Sequence, residues 1–419
     1  MKLLLKSGIV VTQDAKLGVL PKGDVLVDGD RIAAVGPSLQ ADAEPIDCSG
    51  HFVLPGLVNA HMHTWQTALR SVAANWTLLE YFRHVHAGLA TVFTPGDIHV
   101  ATLAGALNQL DHGVTTLVDW CHNNPTPEHT DAAIAGLKEA GIRAAFFHGS
   151  PKPDPRPGEP HFSEVPHPRQ EVERLLKGPL SDRQALVTLG MAVLGPHYST
   201  LEVSDHDFAL AKELGLVASM HQGGGEARTP GGWETLMRRG LVGPHINIVH
   251  GNNLSDEQLK AFVDLGVSFS ITPENEMAQG HGHPITGRLR ALGSGPSVGV
   301  DLESAVSGDM FTVARMALAS QRALDKRRGT RPKRRHSGNL RGAGSRSLRL
   351  DHHPRGRDAG HGRPHRLAGA RQAGRHCSDV ARSACHVARA RCGRNRGHAG
   401  LRRADARRPG CRPLRQARW

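Results

Sequence analysis

The sequence predicts an α/β chain: a (β/α)8 TIM-type barrel, a small N-terminal β domain that reads as incomplete, and a disordered basic C-terminal tail. Three observations predict it. Eight apolar runs of strand length alternate with amphipathic stretches between Phe52 and Leu324, the rhythm a barrel of parallel strands requires. Histidine or aspartate stands at the end of the first, fifth, sixth and eighth runs. After about Lys326 both periodicities vanish and the composition turns to Arg, Gly, His and Ala.

The N-terminal part reads as short strands with turns. Gly8 to Thr12 is one, and Asp24 to Val35 holds two, with Asp28-Gly29 as the hairpin signal between apolar runs. The barrel strands are expected in the run ending at His61 and in Thr115–Asp119, Arg143–His148, Leu186–Leu194, Leu216–His221, Ile246–His250, Val267–Ile271 and Val298–Asp301. Helices are expected between them, for example Asp131–Ala140, Asp205–Leu214, Ser255–Leu265 and Asp309–Leu324. The Pro-rich stretch from Pro151 to Pro168 interrupts the rhythm and reads as a long loop with the character of a lid. Three segments follow: 1–54 as the small β domain, 55–325 as the barrel, and 326–419 as the tail.

The formal net charge of +13 among 419 residues suggests a nucleic-acid partner only until the charge is mapped. From Lys326 onward there are 28 Lys and Arg against 4 acids, so the tail carries about +24 and the rest about −11. Of the six cysteines only Cys48 and Cys121 precede the tail, too few for a disulfide framework, and the other four lack the paired spacing of a zinc module. The first residues, Met1 to Lys6, hold no apolar segment of signal-peptide length, and no window reaches transmembrane length. A cytoplasmic protein with no membrane partner is the expectation.

Chemistry enters with the run Val53 to His63. Side chains alternate along a strand, so His61 and His63 point the same way and can present both imidazoles to one ion. With 27 histidines in the chain, one His-x-His pair is weak alone, and His281-Gly282-His283 is another, in a Gly-rich context that reads as loop. Order gives the pair its weight: His221, His250 and Asp301 close later predicted strands, and in a barrel those ends converge on one face. Nitrogen and carboxylate ligands in this number suit zinc, with iron as the other candidate. A bound divalent ion lowers the pKa of its water to about 7, which supplies a nucleophile at neutral pH.

With these residues in place the chain resembles the amidohydrolase superfamily, in the branch that holds cytosine and guanine deaminases, S-adenosylhomocysteine deaminase and the triazine chlorohydrolases. The matching text is Pro55-Gly56-Leu57-Val58-Asn59-Ala60-His61-Met62-His63, Gly113-Val114-Thr115-Thr116, Met220-His221, Ile248-Val249-His250-Gly251, Thr272-Pro273-Glu274-Asn275 and Gly299-Val300-Asp301. The resemblance covers roughly residues 1–325. It implies metal ligands at His61, His63, His221 and Asp301, and substrate contacts at Gln66 and His197; argued separately from the chemistry, Asp301 beside the water could take its proton and pass it to the leaving group. Trp65, beside Gln66, could stack on a heterocycle, and His250 could orient the water or steady the tetrahedral adduct. The fourth predicted strand, Leu186–Leu194, carries no lysine, so a carbamate bridge between two metals has no candidate there and one ion is expected.

Two departures from the pattern stand out. Relatives place a Glu three residues after the fifth-strand His to protonate the ring nitrogen, whereas position 224 here is Gly, which leaves Glu226 and Glu274 as candidates. Relatives also continue after the eighth strand into segments that complete the small β unit. Here the text resembles a GC-rich gene read out of frame, and a frameshift near residues 325–335 is the expectation, which resequencing tests. The expected activity is hydrolytic deamination of an aminated nitrogen heterocycle (purine, pyrimidine or triazine-like) by metal-activated water, a small-molecule partner, with a homo-oligomer left open. Three alternatives remain: a triazine chlorohydrolase or other amine-releasing hydrolase, an inactive truncated barrel, and a nucleic-acid binder acting through the tail, which has almost no aromatic residues for base stacking.

Overall fold

A computed structural model describes residues 2–327, and the predicted disorder, frameshift and nucleic-acid arm of the tail fall outside them. The first sheet is built from β1 (Lys2–Val11), β2 (Val19–Asp28), β3 (Arg31–Gly36), β4 (Glu44–Asp47) and the two-residue β5 (Phe52–Val53). Its order is β3-β2-β1-β4, with β5 also on β1. The predicted hairpin forms one residue later than its signal: Asp28 pairs with Arg31, so the loop is Gly29-Asp30, and Gly29 takes the positive φ of 59° that the tight turn requires. β1 begins at Lys2, earlier than the predicted Gly8, because Leu3 and Leu4 are buried and extend the ladder.

The second sheet holds eight strands in sequential order: β6 (Leu57–Met62), β7 (Val114–Cys121), β8 (Arg143–Gly149), β9 (Val187–Ala192), β10 (Ala218–Gln222), β11 (Ile246–His250), β12 (Ser268–Ile271) and β13 (Ser297–Val298). All neighbours pair parallel. These are the eight predicted runs, and the nearly closed barrel they form is the fold expected. β13 is too short to close the barrel by itself. Closure comes just beyond it, where the Asp301 N–H donates to the His61 carbonyl (2.9 Å) and the His63 N–H donates to the Asp301 carbonyl (2.7 Å). Gly299 permits this approach, since a Cβ there would lie 2.5 Å from the His61 carbonyl oxygen.

Helices cover the strands as the alternation predicts, with ends set by caps. Pro127–Ala140, Leu201–Glu213 and Met310–Arg327 extend the predicted stretches, and Asp256–Asp264 lies within one, capped by Ser255. The helix Pro95–Asp111 was not among the predicted stretches, although Thr94 and Asp97 form a capping box at its start. The core between barrel and helices is continuous, with Met62, Trp65, Phe146, Phe208 and Phe262 almost fully buried. Residues 151–168 carry only the short 3-10 turn Phe162–Glu164, in keeping with the predicted loop.

Candidate metal centre

Each functional side chain sits where a parallel strand ends. His61 is the penultimate residue of β6, His63 lies one past it, His221 is in β10, His250 ends β11 and Asp301 follows β13. His250 and Asp301 both adopt left-handed backbone conformations, with φ of 68° and 74°. Non-glycine residues avoid this region, so the packing around the barrel mouth holds two site residues against a local cost of about 1–3 kcal/mol each.

The ligand atoms of His61, His63, His221 and Asp301 lie within 4.8 Å of one another. Asp301 Oδ1 is 3.3 Å from both His61 Nε2 and His63 Nε2, and His221 Nε2 is 3.2 Å from His61 Nε2. His63 Nδ1 donates to the Trp120 carbonyl at 2.6 Å, which leaves the Nε2 lone pair facing the centre. Asp301 Oδ1 is buried and accepts no hydrogen bond, whereas Oδ2 accepts from Asn275 Nδ2 (2.7 Å) and Thr272 Oγ1 (3.0 Å). A buried carboxylate oxygen without a donor, flanked by imidazole nitrogens, fits a cation at that point.

Electrostatics agree with this arrangement. Burial favours the neutral carboxyl of Asp301, but His61, His63 and the neighbouring His250 outweigh it and hold its pKa well below the usual range. Burial first, then the neighbouring His61, His63, Lys152 and His250, push the His221 imidazole well down, so it stands as a neutral ligand. Burial also works against a charged His250. Its hydrogen-bonding distance to Glu276 (3.3 Å) and the carboxylates of Asp301 and Glu276 prevail and raise its pKa. His250 Nε2 is 3.8 Å from Asp301 Oδ2, so the two form a protonatable pair beside the ligands.

The pocket above the ligands is walled by Tyr81, Phe82, His86, His122, Lys152 and Tyr198, with His281 and Gln279 on the other side. Several predicted contacts are absent from this wall. Trp65 is fully buried against Phe93 and donates to His122, so its ring offers no face to a heterocycle. Both ends of the Gln66 amide are engaged, with Nε2 donating to the Tyr81 hydroxyl (2.5 Å) and Oε1 accepting from Ser304 (2.7 Å). Gln66 thus stands one layer behind the wall. His197 turns its Nε2 to the Gly224 carbonyl (3.0 Å) and supports the loop after β10.

Neither acid proposed for ring protonation reaches the site. Glu226 is exposed on the Gly-rich loop, and Glu274 is drawn away by Ser307 (2.9 Å). The buried acid is Glu276, two residues further on, which accepts from the Thr272 N–H (2.8 Å) and Asn252 Nδ2 (3.1 Å) and pairs with His250. One helical turn decides this: in Pro273–Ala278, Glu276 faces the barrel and Glu274 does not. His281, read as part of a chance pair in a loop, packs its ring 4.7 Å from that of His250. Lys152, also unremarked in the sequence, lies on the long loop and is buried.

Similarity to known proteins fits this geometry. Residues 52–334 match the amidohydrolase family. The chain is 26% identical over 326 residues to a 5-methylthioadenosine/S-adenosylhomocysteine deaminase of Nitratidesulfovibrio vulgaris, covering 74% of this chain and 71% of that one. The corresponding enzyme of Pyrococcus furiosus is also 26% identical, over 76% of this chain and 74% of its own. Among solved structures, an atrazine chlorohydrolase from Arthrobacter aurescens complexed with zinc superposes with a TM-score of 0.65 at 21% identity, covering 77% of each chain. A zinc-bound adenosine deaminase from Xanthomonas campestris gives 0.64 at 22% identity, covering 77% of this chain and 74% of its own. A match over two thirds of the sequence, on the barrel whose mouth gathers these four ligands, makes the chain a member of the amidohydrolase family.

Proposed function

We propose that the chain is a hydrolase that deaminates an aminated nitrogen heterocycle at one divalent ion, zinc, held by His61, His63, His221 and Asp301. The carrying observation is the cluster of these four ligand atoms within 4.8 Å at the barrel mouth, with Asp301 Oδ1 buried and without a donor. Three imidazoles and a carboxylate suit zinc, and the zinc in solved structures of the same fold supports that choice over iron. Such an ion supplies Lewis acidity and a water acidic enough to act as nucleophile near neutral pH.

The chain's own residues do the rest. Asp301 takes a proton from the attacking water and returns it to the amino group. A C–O bond then replaces the C–N bond, and ammonia leaves. His250, whose pKa Glu276 and Asp301 raise against burial, donates toward the oxygen on which negative charge develops. Thr272 and Asn275 fix Asp301 by two hydrogen bonds, so the carboxylate turns one oxygen to the centre. Tyr81, Phe82 and Tyr198 give the ring of a substrate apolar walls. The deaminases among the relatives support amine release, and the chlorohydrolase among the structural neighbours keeps chloride release as the second reading.

The test is a panel of aminated and chlorinated purines, pyrimidines and s-triazines given to zinc-loaded protein, with ammonia and chloride read separately. Ammonia release that Asp301→Asn lowers by about 10²–10⁴-fold is expected. Chloride release without ammonia would reject the deaminase reading.

A further inference from the structure

Lys152 is the lysine of the pocket wall, and the proposed chemistry does not use it. It follows β8 in Ser150-Pro151-Lys152-Pro153, where two prolines stiffen the backbone, and only 9% of it is exposed. Its Nζ sits among three rings, 5.3 Å from the centroid of Trp120, 5.9 Å from Tyr198 and 6.0 Å from Phe82. Among the described residues no carboxylate pairs with it, and it makes no hydrogen bond. Burial lowers its pKa to about 8.

A buried ammonium is costly unless it is paired, and cation–π attraction from three rings offsets only part of that cost. Its place explains why the chain retains it. Trp120, on which the ammonium rests, packs its ring 4.4 Å from that of His221, and Lys152 lines the same pocket as the metal ligands His63, His221 and Asp301. Lys152 also lines a second cavity of about 250 Å³ beneath the 151–168 loop, which Trp120 lines too. The acids of that cavity do not compete for the ammonium. Asp154 and Glu159 are exposed on its rim, and Asp207 is held by the His167 N–H.

We propose that Lys152 is a specificity-determining residue that pairs with an anionic substituent, a carboxylate, on the heterocyclic substrate, with the second cavity receiving the remainder of that substituent. This rests on the heterocycle reading above and narrows its substrate class. The ligand supplies the counter-charge that the fold omits, and the aromatic cage holds the ammonium in place before the ligand arrives.

The test is calorimetric binding to zinc-loaded full-length protein of two ligand pairs: cytosine against 5-carboxycytosine, and adenine against 9-(carboxymethyl)adenine. In at least one pair the carboxylate form should bind about ten- to a hundredfold more tightly, the worth of a charge-assisted hydrogen bond. Lys152→Met should erase that advantage, and Lys152→Arg should retain part of it. Lys152→Met should also melt at the same temperature or higher, because removing an unpaired buried charge relieves a cost. Equal binding of both members of every pair overturns the proposal. So does a lower melting temperature with equal weakening of both members, which marks a structural role. A fall in kcat on both members with binding unchanged marks a proton donor and overturns it as well. Ammonia read in the same samples separates the two claims: carboxylate preference without ammonia release from either pair retires the deaminase reading and leaves Lys152 assigned.

Discussion

At the scale of single residues, the pairing of His250 with Glu276 is the contact most open to a mutational check. Glu276→Gln removes a carboxylate that raises the pKa of His250, and ammonia release should fall about 10²-fold with KM little changed. A KM effect alone would place Glu276 in substrate binding. His148 and His167 give a second check, on stability. They are buried and 3.1 Å apart, and burial lowers their pKa to about 4 and about 3 from an ordinary 6.5. Between pH 6.5 and about 3 the unfolded chain binds protons that the folded chain refuses. Stability therefore rises with pH in that window, by up to about 1.4 kcal/mol per unit for each group, and is lost on acidification. Denaturant unfolding of wild type and His167→Gln at pH 7.5, 6 and 5 should show a shallower loss in the variant. A parallel pair of curves would contradict the assignment.

At the scale of elements, the barrel is closed and its metal centre shaped by one seam, between β6 and the segment after β13. The peptide hydrogen bonds that close it belong to His61, His63 and Asp301 themselves, so ligand geometry and barrel closure are coupled. Gly299→Ala would push a methyl group against the His61 backbone. A loss of about 1–3 kcal/mol in unfolding free energy is expected, together with weaker metal retention on dialysis. Unchanged stability would show that the seam gives way without cost.

This scale also explains what the sequence made legible. His61, His63, His221, His250 and Asp301 were readable because strand periodicity and strand order fix where their side chains go. Glu276 and His281 were not, since a short helix and a Gly-containing loop decide which acid and which ring turn inward, and neither has a period long enough to read. Gln66 carried a family expectation, and Trp65 a stacking one, onto a 3-10 turn, Thr64–Leu69, whose residues pack inward behind Tyr81. Lys152 lies in a loop of prolines where burial has no sequence signature at all.

At the scale of the whole molecule, the barrel is covered on its flanks while the small sheet is open. β3 pairs only with β2 and β4 only with β1 among the described strands, and Ile32 (62%) and Val19 (56%) stand exposed on this sheet. Open strands with apolar side chains favour edge-to-edge association. Light scattering should therefore show concentration-dependent self-association that Ile32→Lys reduces. The family match ends at residue 334, close to where the charge and composition change, and a shift of reading frame near 325–335 remains our proposal for that change. Among the described residues no helix is long and apolar enough to cross a membrane.

The central claim is that four side chains, three at the seam between β6 and the segment after β13 and His221 from β10 at the same barrel mouth, hold a single metal ion on which hydrolysis depends. Metal analysis of purified protein, set beside ammonia release from the same samples, tests it most directly. We predict about one zinc ion per chain in wild type, and none retained in His61→Ala or Asp301→Asn, with ammonia release lost in step. Ammonia release at the wild-type rate from metal-free protein, or from His61→Ala, would contradict it.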